Sequence, residues 1–499
     1  MQDGPRSIVW FRRDLRLADN PALTAAATRG PIIPVFLWSP RDEADWPPGA
    51  ASRWWLHESL HSLSRTLRSA GSRLIVRRGE YLPTLREIVR EVRADAVFWN
   101  RRYDPSGAKR DREIETALCD DGQQVTHFNA TLLREPGDVL TKQGLPYQVF
   151  TAYWRACAKF PEPAAAISAP RRFPPPASWP NSLEIEELEL TPRVDWTSGM
   201  RETWRPGETG AQRRLVEFLE TAFSSYPTGR DRPGIRGTSR LSPHLHAGEI
   251  SPRQIWHAIR ERQAVTRASG IDAAAEHFLR ELGWREFAHQ LLHHFPHTSM
   301  TPLRTQFAKF PWKSDSKALR AWQRGETGYP IVDAGMRELW STGWMHNRVR
   351  MIVGSFLVKH LLIDWREGAA WFWDTLVDAD LANNTLGWQW VAGCGADAAP
   401  YFRIFNPVLQ GQKFDPRGDY VRRWVPELTK LEADWIHAPW EAPPAALART
   451  GLELDRGYPR PIVDHAFARR RALGALQKIR VPKSGKLDAA ARPENDGEF

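Results

Sequence analysis

The chain has 499 residues, so it is long enough for two or more domains, and a peptide hormone or a small disulfide-stapled toxin is excluded. Hydrophobic residues make up 42% of the chain and charged residues 26%, which excludes disorder over the whole length. The formal net charge of +10 favours a polyanionic partner, because a basic surface releases counterions from nucleic acid when the two bind.

The first third of the chain alternates short apolar runs with amphipathic stretches, the pattern of βαβ units around a parallel sheet. Helices are predicted at residues 52–69 and 83–92. The turn after the first strand, residues 12–16, reads RRDLR instead of GxGxxG, which excludes a nicotinamide-binding fingerprint. We therefore predict a doubly wound α/β domain. Its five strands are predicted at residues 7–11, 32–37, 74–77, 96–99 and 125–128.

The rest of the chain is predicted to be a linker followed by a helical domain. Residues 161–180 are rich in proline with little periodicity, and an acidic stretch follows at 184–189. The last thirty or so residues are expected to form a frayed tail. Beyond residue 210 the pattern changes to long helical periods, at residues 211–223, 252–264, 273–294, 329–342 and 347–362.

The cellular compartment is predicted from absent signals. No segment approaches the roughly 18 uninterrupted apolar residues of a membrane helix, and residues 1–5 have no export pattern. The three cysteines, Cys119, Cys157 and Cys394, form no CxxC pair, so neither a disulfide framework nor a cysteine zinc site is supported. We expect a cytoplasmic protein that does not enter a membrane.

Two segments of the helical half have patterns that suit a binding site. Residues 237–242 (GTSRLS) place three hydroxyls and a glycine just before a helix, as a phosphate-binding loop does, although a plain helix cap has the same features. Further on, Glu281, Trp284 and Arg285 fall on one face of a helix. This face is either a solvated charged stripe or part of a site.

A third segment, residues 378–390, holds the carboxylates Asp378 and Asp380, followed by Asn383 and Asn384. Paired carboxylates serve as acid–base groups or as metal ligands. Because amides follow here, instead of histidines or further acids, hydrogen bonds to a ring cofactor or its ribose are favoured.

A group of histidines also has helical spacing, but the group lacks the glutamate of an HExxH zinc motif and has no cysteine nearby. These histidines are predicted to be helix-end or surface residues, and no metal site is expected. They are His289, His293, His294 and His297.

Taken together, the motifs are specific. The chain resembles the DNA photolyase/cryptochrome family over nearly its whole length, and within it most resembles bacterial cyclobutane pyrimidine dimer photolyases of class I or class III type. Residues 10–16 (WFRRDLR) are similar to the opening strand of that family. Six further segments match in order, at residues 237–242, 281–287, 328–334, 343–348, 378–390 and 401–407.

The resemblance implies a domain organisation. A Rossmann-like α/β domain that binds an antenna chromophore would occupy residues 1–132, and a linker would occupy residues 133–205. A helical domain that binds FAD would follow at residues 206–475, with a flexible tail at residues 476–499.

The resemblance also implies a set of FAD-binding residues. Asp378 and Asp380 would bond the flavin ring edge and ribose, Arg350 would pair with Asp378, and Asn384 would face flavin N5. Phe278 stands where many relatives have a tryptophan beside the flavin, and Arg285 completes the cofactor set. The flavin phosphates would be held by Tyr226, Thr238, Ser239, Arg240, Leu241 and Ser242.

A substrate cavity for an extruded pyrimidine dimer is implied in the same way. Trp284 and Trp390 would form its walls, Glu281 and Asn347 would hydrogen-bond the dimer carbonyls, and Met351 would pack against the dimer. Asn384 would belong to the catalytic set as well as to the flavin site. The implied DNA contacts are Arg230, Arg285, Arg348 and Gln410.

The chain has 24 tryptophans against nine tyrosines, an excess that indicates indole rings used for stacking or electron transfer. Trp388, Trp365 and Trp312 match the chain of tryptophans that carries electrons from the surface to the flavin in the family. The alternative is that the three are ordinary anchors of the core.

A second chromophore is expected, but the antenna region departs from the folate-binding bacterial relatives. Residues 100–107 (NRRYDPSG) lack the asparagine–glutamate pair that those relatives carry at the last two positions. The arginine–arginine–tyrosine run is closer to the branch near plant cryptochromes. We expect methenyltetrahydrofolate ahead of a deazaflavin.

The function implied is light-dependent repair of cyclobutane pyrimidine dimers in DNA by a monomeric lyase that uses reduced FAD. The alternative is a cryptochrome-type blue-light receptor that signals through a partner without repair. Asn384 favours repair, because plant signalling relatives have aspartate there and insect ones have cysteine. Repair of six-four photoproducts is disfavoured, because residues 346–351 lack the histidine pair of that chemistry.

Overall fold

The structure is a computed structural model that describes residues 5–43, 46–266, 270–398 and 402–479. Its first domain contains a five-stranded parallel sheet in the order β3-β2-β1-β4-β5. Near-continuous runs of Val, Ile, Phe and Trp form the central strands, as expected of a sheet covered on both faces. All five predicted strands are confirmed to within one residue at each end. The strands are β1 Ser7–Phe11, β2 Ile32–Trp38, β3 Ile75–Arg78, β4 Ala96–Asn100 and β5 Gln124–Phe128.

Four helices cover this sheet, which confirms the doubly wound α/β prediction. Helices α1 and α2 pack on one face and α3 and α4 on the other. The strand order reverses between β1 and β4, so the chain segments that follow these two strands meet at one edge, where such folds bind ligands. The helices are α1 Pro21–Ala27, α2 Ala50–Ser69, α3 Tyr81–Val92 and α4 Pro105–Asp120.

The predicted linker, residues 133–205, contains more structure than its proline content suggested. Two short helices lie within it, α5 at Phe150–Cys157 and α6 at Ser198–Thr203, together with a 3₁₀ turn at Ile185–Leu188. Residues 161–180 run as irregular chain, as predicted. The linker packs on the α/β domain through Phe173 and through the 3₁₀ turn.

The remaining described residues form a helical domain, as predicted. Its core is built largely from the buried residues of α13, α14 and α16. Within the described residues, no helix is both long and apolar enough to cross a bilayer. The helices are α7 Glu208–Thr221, α8 Tyr226–Gly229, α9 Ser242–Ala247, α10 Pro252–Val265, α11 Ile271–His294, α12 Ser316–Arg324, α13 Pro330–Thr342, α14 Asn347–Ser355, α15 Trp365–Thr375, α16 Leu381–Ala392, α17 Pro407–Phe414, α18 Asp419–Trp424, α19 Pro444–Thr450 and α20 His465–Ile479.

Two features of this domain differ from the sequence prediction. The helix predicted at 347–362 ends as an α-helix at Ser355 and continues as a π-helix, Phe356–Leu361. Every residue of the π-helical stretch is buried, so hydrophobic periodicity could not reveal this change. The frayed tail was placed too early. Helix α20 packs Ala472 and Leu476 into the core, so residues 476–479 are helical, and residues 480–499 lie outside the described chain.

Buried charged side chains hold the two domains together. Arg16, with 1% of its surface exposed, donates to the carbonyls of Asp19 (2.7 Å), Ala130 (2.8 Å) and Gly248 (2.9 Å). Glu249 is completely buried and accepts a hydrogen bond from Trp55 Nε1 on α2 at 3.1 Å. A segment of the helical domain is thus bonded directly to the α/β domain.

A second buried carboxylate, Glu286 on α11, fixes the start of the linker. Its Oε2 accepts hydrogen bonds from the backbone N–H groups of Leu133 (2.8 Å) and Arg134 (3.2 Å). Burial raises the pKa of Glu286 to about 7, against which the nearby Arg285 acts only in part. The folded protein therefore keeps a proton on this carboxyl that the unfolded chain releases near pH 4.5.

Glu286→Gln is expected to flatten the pH dependence of stability between pH 4.5 and 7. Because the folded-state pKa is raised, the contribution of Glu286 is complete below pH 4.5 and is lost as the pH rises through 7. This pH-dependent contribution to stability amounts to about 3 kcal/mol, because the pKa of Glu286 is 4.5 in the unfolded chain and about 7 in the folded protein. Urea unfolding of both proteins from pH 4.5 to 8 measures the difference, and parallel profiles would contradict the assignment.

Candidate functional site

The hydroxyl-rich segment 237–242 lies against the end of α8. A Cβ at Gly237 would clash with the carbonyl of Gly229, so the close approach of the two segments requires glycine. Tyr226, the first residue of α8, is buried against Phe278, with ring centroids 5.2 Å apart. The predicted phosphate-binding residues and Phe278 therefore belong to one region.

Arg240 supplies this region with a cation that has no ion-pair partner among the described residues. It has a left-handed backbone (φ 53°), and its guanidinium lies over the rings of Trp344 (4.5 Å) and Trp204 (5.0 Å). Its Nε is buried and has no hydrogen-bond partner among the described residues, and burial lowers the pKa of Arg240. An anionic group bound here would accept a hydrogen bond from Nε and would provide a counter-charge for the buried guanidinium.

The hydroxyls of the segment are partly used within the protein. Ser242 Oγ accepts a hydrogen bond from Trp344 Nε1 at 3.2 Å, and Ser239 Oγ accepts one from the backbone N–H of Leu241 at 3.4 Å. Thr238 is half-buried, and the Leu241 side chain is buried in the core of this region.

The predicted pair of Arg350 and Asp378 is present. One guanidinium nitrogen, Nη2, lies 2.8 and 3.0 Å from the two carboxylate oxygens, and Nε donates to the carbonyl of Met345 at 2.8 Å. The Asp378 side chain is almost completely buried while Arg350 stays partly exposed. The carboxylate is thus held at a fixed position inside the protein.

Asp380 begins α16 and caps it. Its Oδ1 accepts hydrogen bonds from Asn383 N (2.9 Å) and Asn383 Nδ2 (2.6 Å), and lies 3.6 Å from His289 Nε2. Burial acts to raise the pKa of Asp380, but His289 and the Asn383 N–H hold it well below its usual range. On the same helix, Asn384 Nδ2 donates to the carbonyl of Ala369 at 3.0 Å, which leaves its side-chain oxygen free to accept.

These residues fit FAD. The unpaired Arg240 suits the diphosphate, while the fixed carboxylates Asp378 and Asp380 suit the donors of a flavin ring edge and a ribose. Phe278 and Tyr226 give the same region an aromatic wall.

A second group of predicted residues is joined by two consecutive residues, Arg230 and Asp231. Arg230 Nη1 lies 2.6 Å from Glu281 Oε1 on α11, and Asp231 Oδ1 lies 2.9 Å from Arg348 Nη2 on α14. Glu281, predicted to contact the dimer, and Arg348, predicted to contact DNA, are therefore bound to adjacent residues of one segment. Asp231 was missed by the sequence analysis, although an acid beside a predicted DNA-binding arginine was a usable signal.

The other substrate residues surround this bridge or are backed by aromatic rings. Asn347 is exposed at the start of α14, and Met351 Sδ lies 3.8 Å from Arg348 Nη1. Trp284 is half-buried and stacks on Phe150 of α5, with centroids 3.8 Å apart and planes at 11°. Sequence periodicity could not reveal Phe150, because it is 134 residues away in the linker.

The predicted DNA contacts separate into two sets. Arg348 lies over the ring of Phe414 at 4.4 Å, and Phe414 shares α17 with the half-buried Gln410. Arg285 is different, since its side chain is only 11% exposed and its Nη1 donates to the carbonyl of Thr131 at 2.8 Å. The DNA role of Arg285 is corrected, because a side chain bonded inside the protein does not reach a phosphate.

Arg285 instead lines a small polar cavity between the domains, at the edge where the strand order reverses. The cavity has a volume of about 30 Å³ and also reaches Asp380. This position keeps Arg285 beside the cofactor set and excludes it from the DNA-facing set.

Of the three predicted electron-transfer tryptophans, two are buried in the core and the third is half-buried. Trp388 and Trp365 are 3% and 2% exposed, and a Cβ at Gly368 would clash with the Trp388 ring, so α15 and α16 are in direct contact there. Trp312 is half-buried, and its ring centroid lies 4.3 Å from that of Phe310.

Trp390, the second predicted wall of the substrate cavity, is half-buried, and its Nε1 donates to the carbonyl of Asp397 at 3.1 Å. Residue 401 of the last family motif lies outside the described residues.

Two family models match the chain. The model described as "DNA photolyase" matches residues 7–173, and the model described as "FAD binding domain of DNA photolyase" matches residues 278–478. The two matches correspond to the α/β domain with part of the linker and to most of the helical domain.

Relatives match over nearly the whole chain. The deoxyribodipyrimidine photo-lyase of Agrobacterium fabrum is 51% identical over 475 residues, which is 95% of this chain and 98% of the relative. Cryptochrome-1 of Arabidopsis thaliana is 41% identical over 509 residues, which is 99% of this chain and 73% of the relative. The crystal structure of a bacterial class III photolyase from Agrobacterium tumefaciens, 51% identical, superposes with a TM-score of 0.92 over 96% of this chain and 98% of that one. The chain belongs to the DNA photolyase/cryptochrome family.

Proposed function

We propose that this protein is a deoxyribodipyrimidine photo-lyase that repairs cyclobutane pyrimidine dimers in DNA in a light-dependent reaction with FAD. The observation that carries the proposal is the bridge of Arg230 and Asp231, which pair with Glu281 and Arg348, while the Arg230 guanidinium lies 5.4 Å from the ring of Tyr226, a candidate flavin residue. The 51% identity to a photo-lyase over 95% of the chain supports it.

FAD, when bound in its reduced state and excited by light, supplies the electron that opens the cyclobutane ring and receives it back. The chain's own part is to bind and orient. Arg240 would neutralise the diphosphate, and Asp378, held by Arg350, would accept a hydrogen bond from the flavin ring edge. Asn384 is oriented by its hydrogen bond to the carbonyl of Ala369, and its side-chain oxygen would accept a hydrogen bond from flavin N5–H.

On the substrate side, Glu281 and Asn347 would hydrogen-bond the carbonyls of an extruded dimer and stabilise negative charge on it in a partly dry cavity. Trp284, backed by Phe150, offers a rigid flat surface for a pyrimidine ring. Arg348 and Gln410 would position the DNA backbone beside Phe414. That the protein is a monomer and is located in the cytoplasm remains a prediction.

Glu281→Gln is expected to lower the repair quantum yield of the reduced, illuminated protein by a factor of about 2 to 10. This effect is smaller than the ~100-fold loss of rate that follows removal of an oxyanion-hole donor, because Asn347 would still hydrogen-bond the dimer. FAD content should not change, since the flavin residues are untouched. Counting thymines restored in a dimer-containing oligonucleotide measures the effect.

The matched control is Glu220→Gln, an exposed glutamate on α7, which should repair normally. An unchanged yield for Glu281→Gln at saturating DNA would restrict Glu281 to a structural role. Absence of light-dependent repair in the unmodified protein would instead favour the cryptochrome alternative, to which the 41% identity with a plant cryptochrome corresponds.

Trp312→Phe is expected to slow photoreduction of oxidised FAD sharply, because it removes the outermost oxidisable indole while keeping most of the packing volume. Repair by chemically reduced protein should persist, since that electron passes between flavin and dimer. Trp435→Phe, at another half-buried tryptophan of the same domain, is the control. Flash absorption spectroscopy checks both, and normal photoreduction in Trp312→Phe would refute its assignment.

We further propose that methenyltetrahydrofolate is the second chromophore and that it binds outside the region 100–107. That region is occupied by the protein's own ion pairs, with Arg102 bonded to Asp104 (2.6 Å) and to Glu43 (3.2 Å). The Tyr103 hydroxyl donates to Glu135 at 2.8 Å. Little room is left there for a ligand.

A cavity of about 390 Å³ between the linker, α5, α10 and α11 is a better candidate. Trp154 and Trp256 line it, with ring centroids 6.4 Å apart and planes at 58°, so a planar heteroaromatic ring could stack on one of the two indoles and contact the edge of the other. Arg134 also lines it and suits a carboxylate of a folate tail, whereas Arg260 is already paired with Glu162 at 3.2 Å and would have to exchange this partner. The cavity is lined by Leu279 of α11, the residue that follows Phe278 in the chain, so a chromophore bound there would lie near the proposed flavin site.

Trp256→Ala is expected to lose most of the near-ultraviolet absorption of the second chromophore while keeping that of FAD. Trp179→Ala, at a half-buried tryptophan on the α/β domain, is the control. Mass spectrometry of the ligand released by heat identifies it. Equal retention in the two variants would place the chromophore elsewhere, and a deazaflavin would contradict the folate assignment.

A further inference from the structure

The α/β domain and the linker share a group of potential metal ligands that the proposed function does not use. His57 and His61 lie one turn apart on α2, and Glu186 lies on the 3₁₀ turn Ile185–Leu188. One ligand atom from each residue lies within 4.8 Å of the other two. The histidines from 289 to 297, which the sequence analysis weighed for zinc, are not members of this group.

The three side chains already surround a common point. His61 Nε2 lies 3.2 Å from Glu186 Oε1, and the rings of His57 and His61 meet edge to face with centroids 4.6 Å apart. His57 Nδ1 is buried and has no hydrogen-bond partner among the described residues. A buried polar atom without a partner is unfavourable unless something binds the group and compensates for it.

Both supporting elements are fixed by buried neighbours. Leu60 and Leu63 of α2 pack in the core of the α/β domain, and Ile185 and Leu188 on either side of Glu186 pack in the same core. The ligands therefore need little rearrangement to bind an ion, which favours a specific site over loose surface binding.

We propose that His57, His61 and Glu186 bind a divalent transition-metal ion, and that Zn²⁺ is the ion they suit. Two imidazoles and one carboxylate match a tetrahedral zinc site that a water molecule completes. The imidazoles disfavour Mg²⁺ and Ca²⁺, which prefer oxygen ligands. The Glu186 side chain is 65% exposed, so the ion has access from solvent. The ion fastens the linker turn to α2 and takes no part in repair.

The test is a titration of the full-length, chelator-treated protein with ZnCl₂ in competition with a chromophoric chelator. We expect one equivalent of Zn²⁺ to bind, and affinity to fall at least about 10-fold in His57→Ala, His61→Ala and Glu186→Gln. Zn²⁺ should also raise the thermal unfolding temperature of the unmodified protein, and it should not raise that of these variants.

The matched control is His127→Ala. His127 Nε2 lies 3.3 Å from Glu115 Oε2, and the exposure of its side chain (27%) is close to that of His61 (31%), so it forms the same type of histidine–glutamate pair outside the three-ligand group. Zinc binding should be unchanged in this variant. Absence of binding in the unmodified protein, or binding that survives both His61→Ala and Glu186→Gln, would overturn the proposal. Neither result depends on repair activity.

Discussion

The arrangement of the two domains depends on charge buried between them. Arg16 bonds carbonyls on both sides of the interface, and Glu249 accepts a hydrogen bond across it from Trp55. Breaking such a network is costly, because it leaves an uncompensated charge inside the protein. Gly248 and Glu249 follow the segment 237–242 by one short helix. The position of Arg240, and with it the fit to a flavin diphosphate, is therefore set partly by the α/β domain.

Ion pairs also define the proposed substrate side, where the carboxylates of Glu281 and Asp231 are 32% and 33% exposed and can therefore be replaced by another anion. Arg230 and Arg348, the two arginines predicted to contact DNA, are each neutralised by a carboxylate of the same surface. Binding of a phosphate at Arg348 would have to compete with Asp231, which would reduce affinity for damaged and undamaged DNA alike. Glu281 is likewise engaged with Arg230 before substrate arrives. The free protein is thus electrostatically balanced at the site that we propose receives a polyanion.

The sequence predicted the strands to within one residue because the central ones are continuous apolar runs bounded by turns. It also predicted the pair of Arg350 and Asp378, through the family resemblance. It could not predict what depends on distant packing, such as Phe150 behind Trp284 or the burial of Arg285 against the linker. The π-helix and the docked α20 were missed for a related reason. Periodicity describes one face of an isolated helix and fails where all faces, or the last turn, are buried.

The stacking of Phe150 on Trp284 joins the linker to the proposed substrate wall. The two rings come from different family-model matches, 7–173 and 278–478, although they form one surface. The two matched regions are therefore not independently exchangeable modules. A chimera that joins the first region of one homologue to the second region of another would keep both folds, yet it would keep an intact dimer-binding wall only if the two rings were inherited together.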